Sequence, residues 1–185
     1  MHELILGGQR SGKSRCAEER ARAWLATPGH EAVLVATALA GDAEMHARIA
    51  RHRADRAERV PGLATIEEPR ALAPAVAQAS APHRLVVVDC LTLWLTNGLM
   101  PMEGEALDQV GVEAMIEGLV QSIKQAPGPV VLVSNEIGMG LSPMTREARH
   151  FVDELGRLHQ AVAAACSSVT LMVAGIELAI KRLNP

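Results

Sequence analysis

Near the N-terminus the chain reads Gly7-Gly8-Gln9-Arg10-Ser11-Gly12-Lys13-Ser14. A glycine, four residues, then Gly-Lys-Ser is the spacing with which a backbone wraps a phosphate chain. The glycines let successive N–H groups turn inward, and the helix that follows adds the positive end of its dipole. Lys13 is long enough to reach β- and γ-phosphates, and the Ser14 hydroxyl suits Mg²⁺. An apolar strand at Glu3 to Leu6 and a helical run from Lys13 to Ala26 flank the turn, as a P-loop requires.

Other residues could extend this chemistry. Leu85-Val86-Val87-Val88 ends in Asp89, an acid placed to hold Mg²⁺ or its waters opposite a phosphate loop. It could equally cap a strand end, and the P-loop in the same chain favours the metal role. Arg48, His52 and Arg56 recur at helical spacing on one face, with Arg51, Arg53 and Arg59 beside them. Such a cluster suits a triphosphate, and an imidazole among arginines is disfavoured from protonating, which leaves a nucleophile toward phosphorus. Read alone, the segment is better described as a solvated basic face with a surface histidine. Glu67 and Glu68 close a strand; a carboxylate there could accept two guanine N–H groups, but alone they read as an exposed acid pair. Asn135 to Gly140 follows a buried strand, where α/β folds carry ligand loops. Arg146 and Arg149 lie just beyond it, as phosphate contacts or as ordinary surface cations.

The elements that must position these groups follow from apolar periodicity and breakers. Strands are expected at Glu3–Leu6, Ala32–Thr37, Leu63–Glu67, Leu85–Asp89, Val130–Ser134 and Val169–Ala174, with a short one at Ile176–Lys181. Helices are expected from Lys13 to Ala26, from an N-cap at Asp42 to about Glu58, from Pro69 to Ala79, from Cys90 to Leu99, from Glu105 to Gln125 and from Thr145 to Ser167. Continuous aliphatic strands alternating with helices imply an α/β fold, a mainly parallel sheet with helices on both faces. No repeat or linker divides residues 1–185, so one domain is expected.

Composition excludes several classes. Aromatic residues make up 2% of the chain and the net charge is −3, which leaves neither stacking platforms nor a basic field for nucleic acid. The cysteines at 16, 90 and 166 form no CxxC pair, which argues against zinc or a disulfide framework and suits a reducing cytoplasm. No apolar run is long enough for a membrane span, and Met1 leads almost at once into the first strand, with no room for a signal peptide.

Several segments occur together in a recognisable order. They are Gly7 to Ser14, Ala36-Thr37-Ala38, Glu44-Met45 through Arg48-Ile49 to His52-Arg53, Thr65 with Glu67, Asp89-Cys90-Leu91-Thr92 to Asn97, and Asn135-Glu136 through Gly138-Met139-Gly140. Along essentially the whole chain they resemble the bifunctional adenosylcobinamide kinase/adenosylcobinamide-phosphate guanylyltransferase family of cobalamin biosynthesis. The resemblance implies a RecA-like P-loop NTPase and a homotrimer. It implies two reactions on a small-molecule corrinoid: phosphorylation of adenosylcobinamide by ATP or GTP, then transfer of GMP from GTP through a GMP-histidine, giving adenosylcobinamide-GDP. It maps the guanylylated histidine onto His52, against the reading of that segment alone, and gives Lys13 a catalytic role. It maps nucleotide contacts onto Gly7, Gly8, Gln9, Arg10, Ser11, Gly12, Lys13 and Ser14, onto Thr37, Ala38 and Leu39, onto Arg53, Ala54, Asp55 and Arg56, and onto Glu67 and Asp89. Mg²⁺ is expected on Ser14 and Asp89, and the cobalt belongs to the substrate. The rival readings are a single-activity small-molecule P-loop kinase and a nucleotide-dependent switch.

Overall fold

The short aliphatic runs have no polar face to offer water, so they are stable only when covered on both sides. The structure, a computed structural model, describes residues 1–41 and 43–182, without the side chains of residues 43–46, 48 and 52. The expected N-cap at Asp42 lies outside the described residues. In chain order the elements are β1 (His2–Gly7), α1 (Lys13–Leu25), β2 (Glu31–Ala36), α2 (Ala43–Arg59), β3 (Leu63–Glu67), α3 (Leu72–Ala79) and β4 (Arg84–Asp89). They continue with α4 (Leu91–Leu99), α5 (Gln109–Gln125), β5 (Val130–Asn135), α6 (Arg146–Ala165), β6 (Ser168–Val173) and β7 (Ile176–Arg182). The strands form one sheet in the order β3-β2-β4-β5-β1-β6-β7, parallel throughout except for β7, which returns antiparallel along β6.

Alternate residues of the inner strands feed two cores, while β3 and β7 at the sheet edges stay largely exposed. Leu4, Val35, Val86, Val88 and Leu132 pack with Leu72, Trp94, Leu119 and Leu158 of α3, α4, α5 and α6. Ile5, Leu34, Val87, Val131 and Val133 pack with Cys16, Ala17 and Ala21 of α1 on the opposite face. Trp94 is the one large aromatic sealed in the interior, and its indole N–H donates to the Arg70 carbonyl at 2.9 Å. The expected mainly parallel sheet with helices on both faces is what forms.

Helix starts differ from expectation where side chains cap. The helix expected from Glu105 begins at Gln109, because the Asp108 carboxylate accepts from Gly111 N at 2.8 Å. The helix expected from Pro69 begins at Leu72, because Glu68 Oε1 accepts from Arg70 N at 2.9 Å and Ala71 N at 2.7 Å, holding that stretch as a turn. Thr145 caps α6 through Ala148 N at 3.2 Å.

The start of β4 rests on a close backbone approach. A Cβ built on Gly128 would stand 2.0 Å from the Ala81 carbonyl oxygen and 2.5 Å from that of Arg84. Those atoms belong to a turn that cannot yield without pulling β4 from β5. Gly128→Ala is therefore expected to destabilise the fold by about 2–3 kcal/mol. Urea unfolding followed by circular dichroism checks this, and an unchanged midpoint would contradict it.

Candidate nucleotide-binding site

Parallel pairing brings the ends of five strands to one edge of the sheet. Ala36 is in register with Glu67 on one side and Asp89 on the other, and Gly7 with Asn135. Every loop that leaves these positions faces the same crevice, the usual ligand position in open α/β sheets.

The loop from Gly7 to Ser14 is shaped by contacts that exclude side chains. A Cβ on Gly7 would lie 2.5 Å from Ser11 Oγ and 2.6 Å from the Met172 carbonyl oxygen. Gly12 has φ +100° and precedes the first turn of α1, where only glycine is unstrained. Ser11 N donates to the Gly8 carbonyl at 3.2 Å, and Gly175 N donates to the Ser11 carbonyl at 2.9 Å. The turn between β6 and β7 therefore braces the loop from behind. Gln9 and Arg10 are exposed at its tip, Ser14 is half-buried, and Lys13 is buried. Lys13 Nζ donates to the Gly8 carbonyl at 2.6 Å, so the ammonium lies along the inside of its own loop. Burial lowers its pKa, while Cys90 and Asp89 nearby act to raise it.

The second wall is built from α2 and the segment after β2. Ala38, Leu39 and Ala40, with Ile49, Ala50 and Arg53 of α2 and with Glu67 and Pro69, enclose a cavity of about 510 Å³. Arg53 forms an ion pair with Glu67 across it. Thr37 is fully buried at its back: its hydroxyl donates to the Cys90 carbonyl at 2.7 Å and accepts from Cys90 N at 2.9 Å. Arg56 is buried, Ala54 exposed and Asp55 half-buried, and Asp55 pairs with Arg59 at 3.1 Å. Arg59 also reaches Glu18 of α1 at 2.8 Å. Burial raises the Glu18 pKa, with Arg59 and Arg56 opposing and Asp89 adding to it. The far end of α2 is thereby tied to the helix that carries Ser14. The side chains of His52 and Arg48 lie outside the described residues. The backbone of His52 sits in the helical stretch whose Ala50 and Arg53 line the cavity.

The structure does not bring every candidate here. Arg149 spends its guanidinium on the carbonyls of Pro143 and Met144, at 3.0 and 2.8 Å. Glu68 caps the turn before α3 and leaves Glu67 as the carboxylate at the cavity. Among the described residues no cluster of three or more histidine, cysteine or carboxylate groups could hold a metal alone. The hydroxyl of Ser14 and the carboxylate of Asp89 are oxygen donors of the kind Mg²⁺ takes, one or two from protein with phosphates and water completing the shell.

Sequence reasoning missed a buried polar chain beside the P-loop. Asn135 N donates to Thr92 Oγ1 at 2.8 Å, Thr92 Oγ1 is 3.0 Å from Ser134 Oγ, and Ser134 Oγ is 2.7 Å from His159 Nε2. His159 Nδ1 lies 3.6 Å from Glu136, whose other oxygen accepts from Gly138 N at 2.6 Å. Serine, histidine and glutamate in this order resemble an acyl-transfer triad, but Ser134 is fully buried and no substrate could reach it. The chain instead ties α4, β5 and α6 to the loop whose Glu136 N donates to the Gly7 carbonyl at 2.9 Å.

Comparison with known proteins bears on this site. Residues 3–180 match the family model described as cobinamide kinase / cobinamide phosphate guanyltransferase. The chain is 45% identical over 181 residues to the bifunctional adenosylcobalamin biosynthesis protein CobP of Pseudomonas aeruginosa, covering 98% of each chain. It is 37% identical over 187 residues to the bifunctional adenosylcobalamin biosynthesis protein CobU of Escherichia coli, covering 96% of this chain and 98% of that one. Among solved structures it is similar in fold to the flagellar accessory protein FlaH of Methanocaldococcus jannaschii, with a TM-score of 0.55 at 11% identity over 98% of this chain and 78% of that chain. A structure from Pyrococcus horikoshii OT3, Project ID PH0250, matches with a TM-score of 0.57 at 9% identity over 99% and 87%.

The buried chain makes stability depend on pH. Burial lowers the His159 pKa, with Glu136 opposing, so the folded state holds a neutral ring. As pH falls through the ordinary histidine value of 6.5, the unfolded chain takes up a proton that the folded chain refuses, and stability drops. Between about pH 7.5 and about pH 5.5 the urea midpoint of the parent protein should fall. His159→Gln should fall less, while His2, also lowered by burial, remains in both proteins. An equal fall in the two proteins would remove His159 as the cause.

Proposed function

The chain belongs to the cobinamide kinase / cobinamide phosphate guanyltransferase family, and on that premise we propose how its residues divide two reactions. It is a bifunctional enzyme of adenosylcobalamin biosynthesis, a kinase and a guanylyltransferase acting on a corrinoid. In the first reaction the aminopropanol hydroxyl of adenosylcobinamide attacks the γ-phosphorus of ATP or GTP, the hydroxyl proton leaves, and the bond to the nucleoside diphosphate breaks. Gly7 to Ser14 cradle the triphosphate, and Lys13 stabilises charge on the transferring oxygens. Ser14 and Asp89 would hold Mg²⁺, which neutralises phosphate charge when bound.

In the second reaction a neutral His52 ring nitrogen attacks the α-phosphorus of GTP. A P–N bond forms, the P–O bond to pyrophosphate breaks, and the ring sheds its N–H proton. Arg53 and Arg56 balance the charge of the leaving pyrophosphate. An oxygen of adenosylcobinamide phosphate then attacks the same phosphorus, the P–N bond breaks, and adenosylcobinamide-GDP leaves with the imidazole restored. The observation that carries this reading is the cavity bounded by the 49–53 stretch of α2 on one side and Glu67 on the other, at the same sheet edge as the P-loop. Ala38 and Leu39 line the cavity with buried Thr37 just before them in the chain, Ala54 and Asp55 follow Arg53 along the helix, and Glu67 meets the base edge. A homotrimer in the cytoplasm is the assembly and place that the resemblance to the family supports. Among the described residues no helix is long and apolar enough to cross a membrane.

Incubation with α-labelled GTP and Mg²⁺, then denaturation, tests the covalent step. Label should stay on the protein through base and be released by acid, as a phosphoramidate is. His52→Ala should abolish it and leave phosphorylation of adenosylcobinamide measurable, while His46→Ala retains it. Label that survives His52→Ala, or is absent from the parent protein, would reject the mechanism; absence in the parent would favour a single-activity kinase.

Lys13→Ala should lower both activities by roughly 10²–10³-fold, about 3–4 kcal/mol, because both use a triphosphate held on the same loop. Steady-state assays of each half-reaction check this. Normal turnover in either one would separate that reaction from the loop.

A further inference from the structure

The cavity beside Glu67 has two walls that are far apart in sequence; the β2–β3 ladder pairs them at their base, Ala36 with Glu67, and one side chain joins them beyond it. Asn97, on the last turns of α4, donates from its single Nδ2 to the Thr37 carbonyl at 2.9 Å and to the Pro69 carbonyl at 3.0 Å. Thr37 opens the segment that continues into Ala38, Leu39 and Ala40; Pro69 stands on the wall that carries Glu67. A carboxamide has two N–H groups at a fixed angle, so it can hold two carbonyls at a set separation.

Each wall is rigid behind its carbonyl. Thr37 N donates to the Asp89 carbonyl at 3.1 Å, and its hydroxyl closes a ring of hydrogen bonds with Cys90. At the foot of both walls Glu68 N donates to the Ala36 carbonyl at 2.9 Å, continuing the β2–β3 pairing, and on the second wall the Trp94 indole holds the Arg70 carbonyl. Trp94 and Asn97 are three residues apart on α4 and so share a face. That face carries the wall bearing Glu67, and Asn97 alone on it also reaches the opposite wall.

We propose that Asn97 is a specificity-determining positioning residue, a clamp that sets the spacing between the 37–40 wall and Glu67 and so lets the site prefer guanine over adenine. It acts through Thr37 and Pro69 and touches no phosphate. The proposal rests on the reading of this cavity as the base site. A planar base held against the 37–40 wall presents its edge to Glu67 only when the two walls keep their distance. Asn97→Ala removes both donors. Asn97→Asp replaces them with a carboxylate aimed at two carbonyl oxygens and should do more harm.

Calorimetric titration of the full chain with GDP and with ADP is the test. Diphosphates leave no nucleotidyl adduct, and an affinity ratio does not depend on the fraction of active protein. The parent should prefer GDP. Asn97→Ala should lower the GDP-to-ADP preference by about ten-fold, the worth of one to two hydrogen bonds, and Asn97→Asp should lower it further. Glu67→Gln, run beside them, separates the possible failures. If Glu67→Gln lowers the preference and the Asn97 variants do not, the clamp is wrong and the base site stands. If the Asn97 variants weaken GDP and ADP equally, the residue is structural and the proposal fails. If the parent shows no preference, or no variant alters it, the base-site reading fails and takes the clamp with it.

Discussion

One register holds the chemistry of this chain together. Ala36 pairs with Glu67 and with Asp89, and Gly7 pairs with Asn135, so the P-loop, the two acids and the loop after β5 leave the sheet at one level. A slip of one residue in any pair would displace its acid by about 3.3 Å, more than a hydrogen bond tolerates. The strands are apolar on both faces, so alternation of inward and outward residues gives weak protection against such slips. Protection comes instead from the ends. Thr37 locks β2 to β4 through Cys90, Glu136 N locks the exit of β5 to Gly7, and Gly128 sets where β4 and β5 begin.

Helix α2 is attached to this frame by charge. Arg53 meets Glu67 at the cavity, and Arg59 meets the buried Glu18 near the P-loop helix. Cationic side chains on such a helix can exchange carboxylate partners for phosphate oxygens of comparable strength. The arginines expected from the sequence to serve phosphate are therefore also what seats the helix.

Legibility in the sequence tracked the locality of the signal. The P-loop, the acid ending β4 and nearly all strand limits are written in runs of neighbouring residues, and they stood out. From the residues alone Glu67 was one of two adjacent acids, and the resemblance singled it out; in the structure the cap that Glu68 makes with Arg70 and Ala71 leaves Glu67 facing the cavity. The delayed starts of α3 and α5 came from side-chain caps that outweigh helix propensity. Asn97 gave no chemical hint of its own, because its partners lie 60 and 28 positions away. The Thr92–Ser134–His159 chain joins three elements that meet only after the sheet has formed. The role of His52 remained a matter of resemblance, because one imidazole on a basic helix carries no local signature of nucleophilicity.

The hairpin turn at Ala174 and Gly175 has a consequence for the order of synthesis. It braces the loop at Ser11 and Gly12, and β6, which precedes it, flanks β1. The phosphate loop is thus made well before the hairpin that completes it. Until β6 and β7 are made, β1 lacks one neighbour and the phosphate loop lacks its rear support. Nascent chains ending before that hairpin would hold the whole P-loop sequence without its native backbone, and long-range pairing of this kind is slow to form. Nucleotide capture is thereby deferred until residues 168–182 have been made, which makes bound nucleotide a report on a chain that carries the hairpin.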